Sequence, residues 1–216
     1  MLLVELFENK NSNLVLVYPG RFHPFHIGHK SVYDHLNSKY SGAHVYIATS
    51  GKTDTLKSPF TFAEKRDMMK LAGVDPNAIV QSKSPYQADE ILNRYDLDTT
   101  VVAWAVSEKD MDENPRFSFP SNGLNLKKNG EPAFMQKWQG IENAETADKH
   151  GYILTVPTLP FDIMGKTITG ASQIREMIST ASEEELTRIL SDLYGTSNIP
   201  DSIVNTFKDK LQDKGN

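Results

Sequence analysis

The chain has 216 residues, 38% of them hydrophobic and 24% charged, with a formal net charge of −5 and no cysteine. That length suits one domain with a sizeable core and a small appendage, and the composition is that of an ordinary water-soluble globular chain. It excludes disulfides, thiolate metal sites and thiol nucleophiles, and it argues against a dedicated nucleic-acid surface, so any positive field has to be local.

Residues 1–13 read as a short lead-in that mixes leucines with Glu5, Glu8 and Lys10 and lacks the layout of a signal peptide. No apolar run approaches the length that crosses a bilayer, so no membrane association and a cytoplasmic location are expected. The run Leu14-Val15-Leu16-Val17-Tyr18 reads as a buried strand, and a helix is expected from about Gly28 to Tyr40. Between them lies Gly20-Arg21-Phe22-His23-Pro24-Phe25-His26-Ile27-Gly28-His29. A strand turning sharply into a helix N-terminus is a ready phosphate site, because free N–H groups and the helix dipole point outward there. Gly20 would let the chain turn and a ligand approach the backbone, Arg21 supplies a forked cation, and Gly28 leaves room over the first turn. His26 and His29, three apart, share one helix face and could converge on a phosphoryl group. Histidines at this spacing can also be packed or bind metal. No cysteine sits nearby in sequence, and no metal ligand is assigned.

His44 to Thr49 reads as a second strand, followed by the loop Ser50-Gly51-Lys52-Thr53-Asp54, whose Lys52 is either a solvated lysine or a second phosphate contact. A helix starts in the segment Ser58 to Arg66, with Thr61 and Glu64 as a capping box and Phe62, Met68, Met69 and Leu71 as its apolar face. Ala78 to Gln81 is expected as a short strand, Tyr86 to Tyr95 as a helix with Ile91 and Leu92 inward, and Thr100 to Val106 as a buried strand. Ligands in open parallel sheets sit beyond the carboxyl ends of strands, which makes Lys109 and Asp110 candidate substrate contacts beside the reading of a plain polar turn.

Met111 to His150 is rich in Pro, Gly and aromatic residues and reads as an insertion. Trp138 or Phe134 could stack on a substrate base there, or the aromatics could form a hydrophobic cluster of their own. Tyr152 to Val156 is expected as the last strand and residues 157–168 as a loop. Thr169-Gly170-Ala171-Ser172-Gln173-Ile174-Arg175 then precedes a helix. Small and hydroxyl residues there make a second anion-binding N-terminus that Arg175 can reach back to, although a Ser172 N-cap would also explain the string. Ser182 and Glu185 open a helix to about Leu193, and Pro200 opens a last one through Leu211.

Gly20-Arg21-Phe22 with His26-Ile27-Gly28-His29 resembles the signature of the HxGH nucleotidylyltransferase superfamily. Within it the chain is most similar to nicotinamide mononucleotide adenylyltransferases of the archaeal type and their phage relatives. The Pro59-Phe60-Thr61 start resembles theirs too, with Lys65 where they carry Arg. Ser172 and Arg175 match the family's carboxy-terminal phosphate string, in which Gly170 replaces a hydroxyl residue. The resemblance covers roughly residues 14–72 and 169–211.

It implies a Rossmann-like, doubly wound parallel α/β sheet of about five strands over residues 14–180, an insertion at 111–150, and C-terminal helices over 181–216. It also implies AMP transfer from ATP to a phosphorylated acceptor, foremost nicotinamide mononucleotide, with pyrophosphate release and Mg²⁺ as cofactor. His26, His29 and Arg175 would be catalytic, and Gly20, Arg21, Phe22, Gly28, Gly170 and Ser172 would bind the nucleotide. CTP-using and phosphopantetheine-type relatives share these strings. A non-catalytic nucleotide sensor is the reading from a different class. Self-association is common among such proteins, but no surface in the sequence declares itself.

Overall fold

The computed structural model describes residues 13–54, 57–112, 115, 117–121, 124–168 and 170–212. Residues 1–12 of the expected lead-in, and Thr169, lie outside the described residues. Six strands form one sheet: β1 (Asn13–Pro19), β2 (His44–Thr49), β3 (Ile79–Gln81), β4 (Thr100–Ser107), β5 (Met135–Lys137) and β6 (Gly151–Val156). Their order is β3-β2-β1-β4-β6-β5. The β1–β2, β1–β4, β4–β6 and β5–β6 ladders are all parallel, the Rossmann-like arrangement in which the strand order reverses beside β1. A separate antiparallel hairpin joins β7 (Phe161–Ile163) to β8 (Lys166–Ile168). The helices are α1 (Ile27–Lys39), α2 (Phe62–Leu71), α3 (Asp89–Leu92), α4 (Glu108–Asp112), α5 (Ala171–Thr180), α6 (Glu183–Tyr194) and α7 (Asp201–Phe207). No helix among the described residues is long and apolar enough to cross a membrane.

The chain divides into two compact units, Met1–Pro19, Val32–Ala48 and Ser84–Thr158 in one, and Gly20–Ser31, Thr49–Lys83 and Leu159–Asn216 in the other. In the first, β1 and β4 are buried along almost their whole length, which is why both read as continuous apolar runs rather than as alternating patterns. Val15 pairs with Val102, and Trp104 with Ile153, so the core of this unit is built across the β1–β4–β6 ladders. The edge strand β5 is stapled by the buried Gln136, whose side chain accepts the Asn125 N–H at 2.8 Å and donates to the Asn125 and Ala133 carbonyls.

In the second unit Phe60, Met68, Met69, Leu190, Leu193 and Phe207 supply buried apolar bulk. Both expected capping boxes are formed: Thr61 with Glu64 opens α2, and Ser182 with Glu185 opens α6.

The structure differs from the sequence reading in several elements. Among the described residues the sheet has six strands where about five were expected, the added one being the three-residue edge strand β5. Residues 157–168 hold the β7–β8 hairpin, turned by Met164 and Gly165 at positive φ. The helix expected over Tyr86 to Tyr95 shrinks to Asp89–Leu92, because Ala88 adopts the left-handed conformation just before it. The segment after β4 is the short helix α4 rather than a turn. The last helix is α-helical only to Phe207 and widens into a π-type turn over Lys208–Gln212.

A Cβ built at Gly151 would overlap the fully buried ring of Trp104 and crowd Phe134. Gly151→Ala should therefore lower stability by about 1–3 kcal/mol, the usual cost of overpacking a close-packed core. Urea denaturation at neutral pH checks this.

Candidate functional site

The Gly20–Ser31 segment, in the second unit, runs from the end of β1 into α1. The His26 carbonyl accepts the N–H groups of His29 (2.9 Å) and Lys30 (3.1 Å), so the first helical turn is wound on His26. The i,i+3 spacing then stacks the two imidazoles with centroids 3.6 Å apart and planes 26° apart. Phe161 of β7 lies against His26 at 4.4 Å, while Phe22 meets His29 edge-on at 4.9 Å and Phe25 lies 5.4 Å from it.

The two glycines serve this ring cluster. Phe22 sits at φ +52°, a conformation bulky residues rarely adopt, and its ring occupies the space a Cβ on Gly20 would need. Gly20 thus makes the room that the Phe22 ring occupies. A Cβ on Gly28 would lie 3.0 Å from Phe161 and 3.1 Å from the His26 ring, so the room above the first turn is filled by those rings.

Burial sets the charge state of the histidines. It pushes His29 down to about 3 from its ordinary 6.5, although His29 keeps an accessible edge on the cleft described below. Burial, then the adjacent His29, holds His26 well below 6.5. Two imidazolium charges at this separation would repel by roughly 4 kcal/mol at an effective dielectric constant of 20. His23 is lowered to about 3 by burial, then by Lys65, Arg175 and Arg21. Its ring stacks near Phe60, and Nδ1 accepts the Phe60 N–H at 3.3 Å, which leaves the proton of the neutral ring on Nε2.

Two cations brace the loop. Arg175 Nη1 donates to the His23 carbonyl at 2.7 Å and so ties the second string to the first. Lys65, fully buried, donates to Thr49 Oγ1 (2.7 Å) and to the carbonyls of Ser50 (2.5 Å) and Arg21 (3.3 Å). Burial lowers its pKa to about 8, so the ammonium is charged at neutral pH, and its role is to hold the backbone under Arg21.

Above these groups opens a cleft of about 340 Å³ lined by Arg21, Phe22, His23, His29, Lys57, Ala171, Ser172 and Arg175. Three cations and two neutral imidazoles in one concavity form a local anion site on a chain that is acidic as a whole. α5 contributes its N-terminus. Gly170, not Ser172, is the N-cap, with no side-chain hydrogen bond at the cap among the described residues, and the Gln173 N–H donates to the Gly170 carbonyl at 3.2 Å.

Arg21, Phe22, His29, Ser172 and Arg175 are thus brought together as the sequence indicated, with His26 and Gly28 behind them. Lys52 is exposed and does not line the cleft, whereas Lys57 does. Lys57 carried no periodic or motif signal, and His23 was hidden inside a string read for its other residues. Lys109 and Asp110 stand on α4 in the first unit. Ser107 Oγ donates to Asp110 Oδ2 at 2.9 Å and accepts the Asp110 N–H at 3.2 Å, a local helix-start arrangement. Trp138, in the same unit, packs edge-on against Tyr40 and Tyr152 in an aromatic cluster.

A family model described as cytidylyltransferase-like matches residues 17–128, more than half of the chain. The chain belongs to the cytidylyltransferase-like family. Two curated proteins similar to this family member are both nicotinamide-nucleotide adenylyltransferases. That of Sulfurisphaera tokodaii is 41% identical over 54 residues, 25% of this chain and 31% of the relative. That of Saccharolobus solfataricus is 33% identical over 54 residues, with the same coverage of 25% and 31%. The match thus spans about a third of the length of these relatives, 31%. Among solved structures, a bifunctional NMN adenylyltransferase/ADP ribose pyrophosphatase from Francisella tularensis superposes with a TM-score of 0.48 at 14% identity, covering 91% of this chain and 50% of that one.

The depressed histidines make stability pH-dependent. Between pH 3 and 6.5 the unfolded chain binds protons that the folded cytidylyltransferase-like chain refuses at His23 and His29. Stability is therefore full above pH 6.5 and falls as the pH drops toward 3, by up to about 1.4 kcal/mol per pH unit for each such proton. Denaturant titrations at pH 7.5, 6 and 5 should show the fall, and His29→Asn should make it shallower. An unchanged slope in the variant would mean that this ring titrates alike in both states.

Proposed function

We propose that the protein transfers AMP from ATP to a phosphorylated acceptor, nicotinamide mononucleotide, with release of pyrophosphate. The observation that carries this reading is the neutral, stacked His26–His29 pair, of which His29 lines a cleft together with Arg21, His23, Lys57, Ser172 and Arg175 among the described residues. The names of the curated relatives support the choice of nucleotide and acceptor.

In the proposed reaction a phosphate oxygen of the acceptor attacks the α-phosphorus. A new P–O bond forms, and the bridging P–O bond to the β-phosphate breaks with its electron pair leaving on pyrophosphate. Phosphate is already a nucleophile, so the protein's work is positioning and charge stabilisation. His26 and His29 donate to the α-phosphate as charge gathers on it. Arg21, Lys57, Arg175, the Ser172 hydroxyl and the start of α5 hold the β- and γ-phosphates that depart.

Among the described residues the side chains lining the cleft include no carboxylate, although Asp54 acts electrostatically on His23 and Arg175, and no group of three or more His, Asp or Glu side chains could hold a metal ion. This donor set fits a magnesium ion carried by the phosphates and water rather than a protein cage. When bound, such an ion would neutralise charge on the departing oxygens.

Pyrophosphate release with ATP and Mg²⁺, with and without nicotinamide mononucleotide, tests the proposal. Acceptor-dependent release is expected, and His29→Ala should lose about 100- to 1,000-fold in kcat while remaining folded by circular dichroism. Near-normal turnover in that variant would refute the role of the pair. Lys57→Ala should chiefly raise the KM for the nucleotide, because it removes a binding cation and leaves the imidazoles in place. Release with CTP instead of ATP would move the assignment to cytidylyl transfer. ATP binding without release with any acceptor would indicate a nucleotide sensor.

A further inference from the structure

We infer that Phe161 is a positioning residue for the histidine pair: its ring fixes the orientation of His26 against His29. The inference rests on the reading of those two imidazoles as phosphate donors. Three rings form one column, with His26 in the middle, 4.4 Å from Phe161 on one side and 3.6 Å from His29 on the other. The planes are nearly parallel throughout, 27° and 26° apart. A working histidine is ordinarily oriented by a hydrogen bond at its second ring nitrogen. Among the described residues His26 lacks one, since its buried Nδ1 meets no hydrogen-bond partner there. Packing has to do what a polar partner does elsewhere, and Phe161 supplies the face of that packing that does not come from the motif itself.

The hairpin is built to hold this ring still. Phe161 pairs with Ile168 across the β7–β8 ladder, and Ile163 and Ile168 are buried beneath the hairpin. The turn is pinned by the Met164 N–H, which donates to Asp192 Oδ2 of α6 at 2.8 Å. From the opposite direction Gly28 closes the column, with no room for a Cβ between Phe161 and the His26 ring. Neither Phe161 nor His26 is among the described residues lining the cleft, so Phe161 acts on the ligand only through the His26–His29 stack. Burial in this column also accounts for His26 resisting protonation, with His29 as the titratable group stacked on it.

The test uses the full chain carrying Phe161→Leu, with Phe161→Tyr as the conservative control. Misplacing a reacting group by about 1 Å costs on the order of a hundredfold in rate. Phe161→Leu should therefore lower kcat by about that factor and leave the KM for ATP within about twofold, because the cleft cations are untouched. Phe161→Tyr keeps the ring and should restore kcat. Independently of turnover, NMR of isotopically labelled histidine should show His26 resisting protonation near pH 6 in the parent and titrating closer to 6.5 in Phe161→Leu. Should Phe161→Leu fail to fold by circular dichroism, Phe161→Met conserves volume without the aromatic face and carries the same measurements. A folded Leu or Met variant whose His26 titration matches the parent overturns the inference. Absence of turnover in the parent would instead count against the proposed reaction, with the His26 titration still deciding the role of Phe161.

Discussion

Two imidazoles whose centroids lie 3.6 Å apart can share a site only while at least one of them is uncharged. Much of the second unit is arranged to satisfy that constraint. Burial depresses the proton affinity of both rings, and the burial is aromatic: Phe22 and Phe25 close around His29, and Phe161 covers His26. The glycines of the string follow from the same requirement. Gly20 makes room for Phe22, and Gly28 lets the His26–Phe161 contact form above the start of α1. A glycine that looks like an opening for ligand can thus be an opening for a neighbouring ring.

Charge is organised around this pair in two layers. The cations that line the cleft, Arg21, Lys57 and Arg175, are separate from the buried Lys65, whose three acceptors are a hydroxyl and two carbonyls of the same loop region. Lysine at that position behaves as a backbone brace, because an ammonium satisfied by three local oxygens has nothing left for a phosphate. Arg175 does both kinds of work. One guanidinium nitrogen is committed to the His23 carbonyl, while the side chain still lines the cleft. An acidic chain can in this way present a positive concavity without any basic run in its sequence.

Much of this was legible in the residues alone. The buried strands β1 and β4, the start of α1, both capping boxes and the two strings that meet in the cleft all carry short-range signals of period, capping chemistry or spacing. The misreadings have physical causes. Strands of three residues, as in β5, β7 and β8, offer too few positions for a period, and the left-handed Ala88 delayed to Asp89 a helix that periodicity alone would have started earlier. Lys52 and Lys57 are alike as letters in a loop, and only the path of the chain turns the second toward the cleft.

The sequence by itself determined that a strand runs into a helix through a glycine- and histidine-containing turn, and that His26 and His29 share a face there. Those are properties of a few consecutive residues and of the 3.6-residue helical period. Only the tertiary structure decided what surrounds that face. Phe161 and Arg175 are far from the string in sequence, yet one stacks on His26 and the other bonds the carbonyl of His23. Desolvation, and with it the charge state of the histidines, depends on every atom packed nearby whatever its place in the chain. The local order of residues could therefore nominate the pair, while long-range packing made it neutral and held it in register.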